Sequence, residues 1–392
     1  MRASSRSDAL DVAVVALSAR ALARSARRAG LRALAVDLFA DADTCEHAAL
    51  AVRSPAGRRG VRFTRAGLLA TLKAHAPEGL PVVFGAGLEH APSLMAEIGR
   101  RHPIRGASPD TVARLKDPES FARLLSDLDV AHPRIRTGGG APRGHEWLSK
   151  RAGASGGGHI RSGVGHGRPT AAGRYLQERV PGRSISALFL ADGRASRIVG
   201  FSEQWPDPTP RSPFRYGGAV GPVALPGPLV AEVARTLDGL VAATGLVGLA
   251  SADLIVPDGA PGAAFWVLEI NPRPGATLDV FDQGAMPSLL GLHLDACSGR
   301  LPHALPEPAC AYAAAVVYAE RPVSTASLPR PVWTADWPSC DETVPAGAPV
   351  CTIAAAGASP QAARALVSER RAALLTSIRA AQPAPTNLMV SA

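Results

Sequence analysis

Of the 42 basic residues in this 392-residue chain only three are lysines, Lys73, Lys116 and Lys150, and asparagine occurs only at Asn271 and Asn387. With alanine, arginine, glycine and proline in excess, this is the mark of a coding bias that writes arginine wherever it serves as well as lysine. A surviving lysine then marks a place where a compact ammonium serves better than a planar fork. Cysteine is sparse too: Cys45, Cys297, Cys310, Cys340 and Cys351 are scattered, odd in number and free of Cys-x-x-Cys spacing. That argues against a zinc site or a disulfide framework and for a reducing, cytoplasmic setting. No apolar run reaches membrane-spanning length, and residues 12–17 are too short for the core of a secretion signal. Aromatics make up only 5% of the chain, and the arginines read as spread along it, so the net charge of +9 points to a small polyanion rather than to nucleic acid.

What is present centres on residues 251–275. Residues 249–256 read as one strand and 265–270 as its antiparallel partner, joined through a turn holding Pro257, Asp258, Gly259, Pro261 and Gly262. Side chains on a strand alternate faces, so Glu269 and Asn271 point the same way and Asp253 meets them from the neighbouring strand. Two carboxylates and an amide on one face form a hard-oxygen cluster suited to Mg²⁺. Pro272 ends the strand and Arg273 stands beside the cluster as a fixed positive fork.

Upstream, strands at 11–18, 34–39 and 81–84 alternate with helices at 19–29, 68–75 and 92–100, the pattern of a parallel α/β sheet. The turn Gly85-x-Gly87-x-Glu89 lacks the dinucleotide fingerprint, since no third glycine opens a helix. Helices at 109–115 and 118–128 flank Lys116. A short strand ends at Lys150 and runs into Ser155, Gly156, Gly157 and Gly158, a flap whose N–H groups are suited to phosphate, without the Gly-Lys-Ser/Thr of a P-loop. A hairpin at 184–204, a loop over 211–220 that carries Arg215, a helix at 228–244 stopped by Gly245, a strand at 311–319, a hairpin at 344–353 and a closing helix at 359–381 complete the reading. The last residues are expected to be disordered.

This order of parts resembles the ATP-grasp superfamily. It comprises a parallel α/β domain, a lysine before a Phe-containing helix, a lysine leading into a glycine flap, a Gln/Glu-x-Val-x-Gly linker, an Asp strand and a Glu-x-Asn-x-Arg strand. The resemblance implies a fold of mixed α/β and α+β class. A pre-grasp domain would span 1–105, an ATP-grasp domain 106–298 with its flap subdomain at about 136–190, and a small β-rich C-terminal domain 299–392. It implies ATP and Mg²⁺ (or Mn²⁺) as cofactors. Lys116 and Lys150 would hold the α- and β-phosphates, and Ser155, Gly156 and Gly157 would cover the β- and γ-phosphates. Gln177, Glu178, Arg179 and Val180 correspond to the segment at the adenine edge, and Asp253, Glu269 and Asn271 to the metal ligands. Ser184 stands where an acidic residue usually grips the ribose, and Arg151 where proline usually follows the flap lysine. Arg273 and Arg215 would steady the transferred phosphoryl group or the acceptor carboxylate.

The implied chemistry is attack of a carboxylate on the γ-phosphate, then of an amine on the acyl phosphate, giving an amide, ADP and phosphate. The N-terminal half is similar to the tyramine–glutamate ligase group of methanofuran and one-carbon cofactor biosynthesis, which implies a small amino acid such as glutamate as the carboxylate donor, with Arg273, Glu89 and Arg20 in its pocket. Partners would be small carboxylates and amines, with no nucleic acid and no membrane, and a homodimer is left open. A purine-biosynthesis or carboxylase type of ATP-grasp enzyme, or a non-catalytic nucleotide-binding regulator, are the alternatives.

Overall fold

Four short runs of almost wholly apolar residues start the architecture. The computed structural model describes residues 9–57, 61–164, 167, 170–258, 264–326, 328–338 and 342–381. Strands β1 (Val12–Val15), β2 (Ala33–Asp37), β3 (Leu50–Arg53) and β4 (Val82–Phe84) form a parallel sheet in the order β3-β2-β1-β4. All residues of β1, β2 and β4 are buried, as expected of parallel strands covered on both faces. Its helices are α1 (Arg20–Arg28), α2 (Ala42–His47), α3 (Arg65–His75) and α4 (Pro92–Gly99). Asp41 and Thr64 cap α2 and α3, accepting from Thr44 N and Gly67 N. The chain reverses direction in the sheet between β1 and β4, so the segment after β4 sits at the switch point where α/β sheets bind ligands.

Two helices then share one residue at their junction. α5 (Pro109–Lys116) ends on Lys116, and Asp117 both closes it and caps α6 (Pro118–Asp127) through Ser120 N. That shared cap fixes the direction in which Lys116 leaves the helix. Next come β5 (Ile135–Arg136), β6 (Trp147–Arg151) and β7 (Arg174–Glu178), a three-stranded antiparallel sheet in the order β5-β7-β6 that bears the flap.

The largest layer is antiparallel. It uses β8 (Arg183–Asp192), β9 (Ser196–Pro206), β10 (Tyr216–Gly221), β11 (Val247–Val256) and β12 (Trp266–Asn271), with α7 (Gly227–Thr244), α8 (Leu278–Phe281) and α9 (Leu289–Ala296). β13 (Ala311–Tyr318), β14 (Val323–Ser324), β15 (Thr334–Ala335), β16 (Thr343–Val344), β17 (Pro349–Gly357) and α10 (Pro360–Ala381) complete the chain. Eight strands join in the order β12-β11-β8-β9-β10-β13-β17-β15, so one sheet crosses the boundary expected at residue 299. Side chains of β8 alternate between two cores. Ile185, Ala187 and Phe189 pack with α7, and Leu188 and Leu190 with α8 and α9. Burial on both faces explains why β8 reads as a continuous apolar run.

The structure corrects three expectations. Residues 344–353 are not a hairpin: β16 pairs with β14, and β17 pairs with β13 and β15. Pro345, Gly347 and Pro349 interrupt the ladder there, and β17 takes the longer alanine-rich edge of β13 instead. The 211–220 loop ends earlier than expected, because Tyr216–Gly221 is a strand whose small residues fit between β9 and β13. β3 and α2 were not read from the sequence at all. The expected turn residues Gly259, Pro261 and Gly262, Cys340 and the final segment lie outside the described residues.

Candidate functional site

The site begins as a polar row across four adjacent strands. Ser202 of β9 pairs with Ser186 of β8, Ser186 with Asp253 of β11, and Asp253 with Glu269 of β12. Residues paired across an antiparallel ladder point to the same face, so the register alone brings the two carboxylates together. Asn271 pairs with Ser251, one step along, and donates from Nδ2 to Asp253 Oδ2 at 3.0 Å. Ser186 Oγ (2.9 Å) and Gln204 Nε2 (3.4 Å) donate to Asp253 Oδ1. Sequence reasoning missed these two residues. Their signal was positional, because the β11–β8 register places Ser186 opposite Asp253 and the β8–β9 pairing brings Gln204 alongside.

The cations converge on the same face. Lys116 Nζ donates to Asn271 Oδ1 at 2.8 Å and lies 3.6 Å from Glu269 Oε2. Lys150 is buried on β6, and burial lowers its pKa, with Glu269 and Asp253 pulling it back up and Lys116 pushing it down. An ammonium held in this way is poised for an incoming anion. Arg273 donates from Nε to Glu89 Oε1 at 2.7 Å and reaches Asn271 Oδ1 through Nη2 at 3.4 Å. Burial raises Asp253, and its neighbour Glu269 raises it further. Burial also pushes Glu269 upward, but Lys116, Lys150 and Arg273 outweigh it and hold that carboxyl well below its ordinary range. The pair thus divides into one carboxyl that resists ionisation and one that stays charged.

A cleft enclosing about 510 Å³ runs away from Lys116 and Glu269. Its apolar wall comes from α5, α6 and β12, through Leu115, Phe121, Leu125 and Val267. Its polar wall carries Gln177, Tyr175 and His159. Gln177 is buried, its Nε2 only 3.4 Å from Leu268 O. Burial brings His159 down to about 4, with Glu269 opposing and Lys150 and Arg174 adding to the fall, so this flap imidazole is neutral. Neither Tyr175 nor His159 was expected, since neither stands at a position that the motif marks.

The remaining candidates are placed as follows. The flap docks on the segment before β10: Gly156 O accepts from Tyr216 N at 2.9 Å, and a Cβ at Gly157 would run into the Phe214 carbonyl. Only glycine allows that approach, at φ +67. Ser155 stands at the head of this flap. Glu178 is tied to Arg134 and His145, and Arg179 spends its N–H on Glu146 O and its side chain on the Glu146 carboxylate. Glu178, Arg179, Val180 and Ser184 are not on the cleft wall; Ser184 pairs with Ile255. Arg215 lies over the Tyr318 ring at 3.7 Å and is held by Asp207. Arg20 is clasped by Asp279 and Asp336. Glu89 is buried, and its Oε2 accepts from Gly87 N at 2.6 Å.

The positive charge, expected to be spread out, is in fact concentrated. Nine arginines and Lys150 lie between Arg134 and Arg183 against only Glu146 and Glu178, so the flap subdomain carries nearly all of the surplus. Its own acids neutralise Arg134 and Arg179, and Glu203 of β9 pairs with Arg183.

Metal fit can be judged from the donors. Among the described residues no group of three His, Cys, Asp or Glu side chains forms a metal cluster. Asp253, Glu269 and the Asn271 carbonyl supply hard oxygens for Mg²⁺, and the Glu269 side chain, 30% exposed, is the open one. Such an incomplete oxygen set suits Mg²⁺ that arrives with phosphate oxygens as its other ligands.

Comparisons with known proteins agree with this geometry. Residues 117–277 match the family described as ATP-grasp domain. No curated protein matches the chain. Among solved structures, it is similar to a biotin carboxylase–β,γ-ATP complex from Campylobacter jejuni at 14% identity and TM-score 0.68, covering 92% of this chain and 91% of that one. Phosphoribosylamine–glycine ligase from Thermotoga maritima matches at 16% and 0.67, over 93% and 96%. L-amino acid ligase from Bacillus licheniformis matches at 12% and 0.66, over 92% and 96%. The chain has the ATP-grasp fold, and the carboxylate pair, α6 and the flap strands fall inside the matched residues, with Lys116 immediately before them.

Proposed function

We propose that this protein is an ATP-grasp ligase that joins a carboxylate to an amine, using ATP and Mg²⁺. The observation that carries the reading is the Asp253–Glu269 pair in register, faced by Lys116, Lys150 and Arg273, with Lys116 and Glu269 also lining a solvent-open cleft. ATP lies with its base between Gln177 and the apolar wall and its phosphates among the two lysines and the flap. The excess charge of the flap subdomain supports that placement, because a triphosphate repays the cost of crowding arginines without acids.

A substrate carboxylate oxygen attacks the γ-phosphorus. The new O–P bond forms as the bridging P–O bond breaks, and ADP leaves with that electron pair. The amine nitrogen then attacks the acyl carbon, phosphate departs with the C–O electrons, and the nitrogen gives up a proton. Lys116, Lys150 and Arg273 are fixed before reaction and lower the barrier by meeting charge where it spreads. Mg²⁺ held at Asp253, Glu269 and Asn271 neutralises phosphate charge when bound. The flap, seated on residues Phe214–Tyr216, keeps water from the acyl phosphate.

The resemblance of the N-terminal half supports a finer reading, biosynthesis of a one-carbon carrier cofactor of the methanofuran or tetrahydromethanopterin type. Free thiols at Cys297, Cys310 and Cys351 support a cytoplasmic setting. No helix among the described residues is long and apolar enough to cross a membrane. Phosphate release from MgATP across a panel of acids and amines tests the ligase. Release should require both partners and fall at least a hundredfold in Glu269→Ala. Release that ignores the panel, or survives the substitution, overturns it.

A further inference from the structure

A second, solvent-open cleft of about 340 Å³ is lined in part by Arg273. The two clefts share no wall residue and are linked through Asn271, which binds Lys116 of the first and Arg273 of the second. The second cleft sits at the end of β4, beside the switch point of the parallel sheet. Its walls are apolar: Phe84, Leu88, Met95, Ile104, Val112 and Pro274. Among the described residues, Glu89 and Arg273 are the only ones of formal charge lining it, and they are bonded to each other. His293, also in the wall, is neutral, since burial takes it down to about 4. Its Nδ1 accepts from Leu249 N, so Nε2 carries the hydrogen and donates to Arg105 O, which leaves the ring nothing for a ligand.

We propose that this cleft receives the acyl-donor substrate and selects a carboxylate with an apolar side chain. The inference rests on the ligase reading above and narrows its substrate. Position sets the role: a group here meets Arg273, which Asn271 links to Lys116, so a carboxylate bound in this cleft lies beside the phosphate cluster without entering the nucleotide cleft. Wall chemistry sets the class. Glu89 holds the guanidinium by Nε, and Asn271 lies by Nη2, while Nη1 has no hydrogen-bond partner among the described residues. The substrate carboxylate meets that edge of Arg273 and its side chain lies on the apolar wall. A second carboxylate, such as that of glutamate, would be buried here without a cation to pair with it, and an amine side chain would have no free carboxylate.

Hydroxylamine tests this directly, because it traps an acyl phosphate as a hydroxamate whatever the natural amine. Intact protein with MgATP and hydroxylamine is given alanine, leucine, methionine, glutamate or lysine, or the matching simple carboxylates. Leucine- or methionine-like donors should give hydroxamate at least tenfold faster than glutamate or lysine. Met95→Trp, which fills the cleft, should lower that rate at least tenfold while MgATP affinity stays within twofold, which also shows that the variant is folded. Ile104→Arg, at the half-buried rim, should move the preference toward glutamate. Glutamate as the best donor, or indifference to Met95→Trp with hydroxamate still forming, overturns the apolar cleft and leaves the ligase intact. Failure of wild-type protein to bind MgATP, or binding without hydroxamate from any donor, removes the ligase reading and this inference with it.

Discussion

Arg20 and Arg273 stand at two junctions built from the same materials, and they differ in how many carboxylates hold each fork. Each joins segments distant in the chain, and each side chain is nearly buried, at 4% and 12% exposure. Arg20 is gripped from two sides. Asp279 takes both terminal nitrogens, and Asp336 takes Nε at 3.1 Å and Nη2 at 3.0 Å. Asp336 is itself held by Ser18 Oγ. Arg273 has a single carboxylate, Glu89, whose charge is kept by Arg273 and Lys116 against the upward push of burial. A fork between two carboxylates is saturated, and one held by a single carboxylate is aimed.

Breaking each junction should therefore fail differently. Arg20→Ala leaves Asp279 and Asp336 facing each other without a cation, and unfolding by urea should show a loss of about 3–5 kcal/mol. A loss under 1 kcal/mol would mean that the clasp is not structural. Arg273→Ala should cost about 10²–10³ in turnover, read as kcat for ATP-dependent condensation, with the urea midpoint little changed. A variant that melts as Arg20→Ala does, or retains turnover, would erase the contrast.

The smallest effect concerns the wall behind Arg273. His293 is held neutral, with a pKa of about 4 against 6.5 in the unfolded chain, because burial disfavours its charged form. The unfolded chain takes up the proton first as pH falls. Stability from this residue is complete above pH 6.5 and is lost toward pH 4, at about 1.4 kcal/mol per pH unit. The difference in urea stability between wild type and His293→Asn should shrink over that interval. Parallel profiles would show that His293 is not the titrating group.

The carboxylate face of β11 and β12 was legible because it is local. Asp253, Glu269, Asn271 and Arg273 lie on two strands adjacent in sequence, so alternation and one turn suffice to bring them together. Lys116 and Lys150 stood out by scarcity, and the alternation of strands and helices exposed the parallel sheet. What stayed hidden depends on distant pairing. Asp336 meets Arg20 across 316 positions, and no local pattern marks either as half of a clasp. Ser186 and Gln204 reach Asp253 only through the order of β11, β8 and β9. α2 and β3 are short, and β3 is an edge strand only partly buried, so neither has the apolar periodicity that betrays an element.

The continuity of the eight-stranded sheet past residue 299 has a consequence for the molecule in solution. Because β13 completes the ladder of β10, a chain cut before Ala311 would present β10 as a bare edge with unpaired N–H and C=O groups. That edge would template pairing with another copy, so truncates should precipitate rather than behave as smaller enzymes. The C-terminal quarter thus works as a guard against self-association.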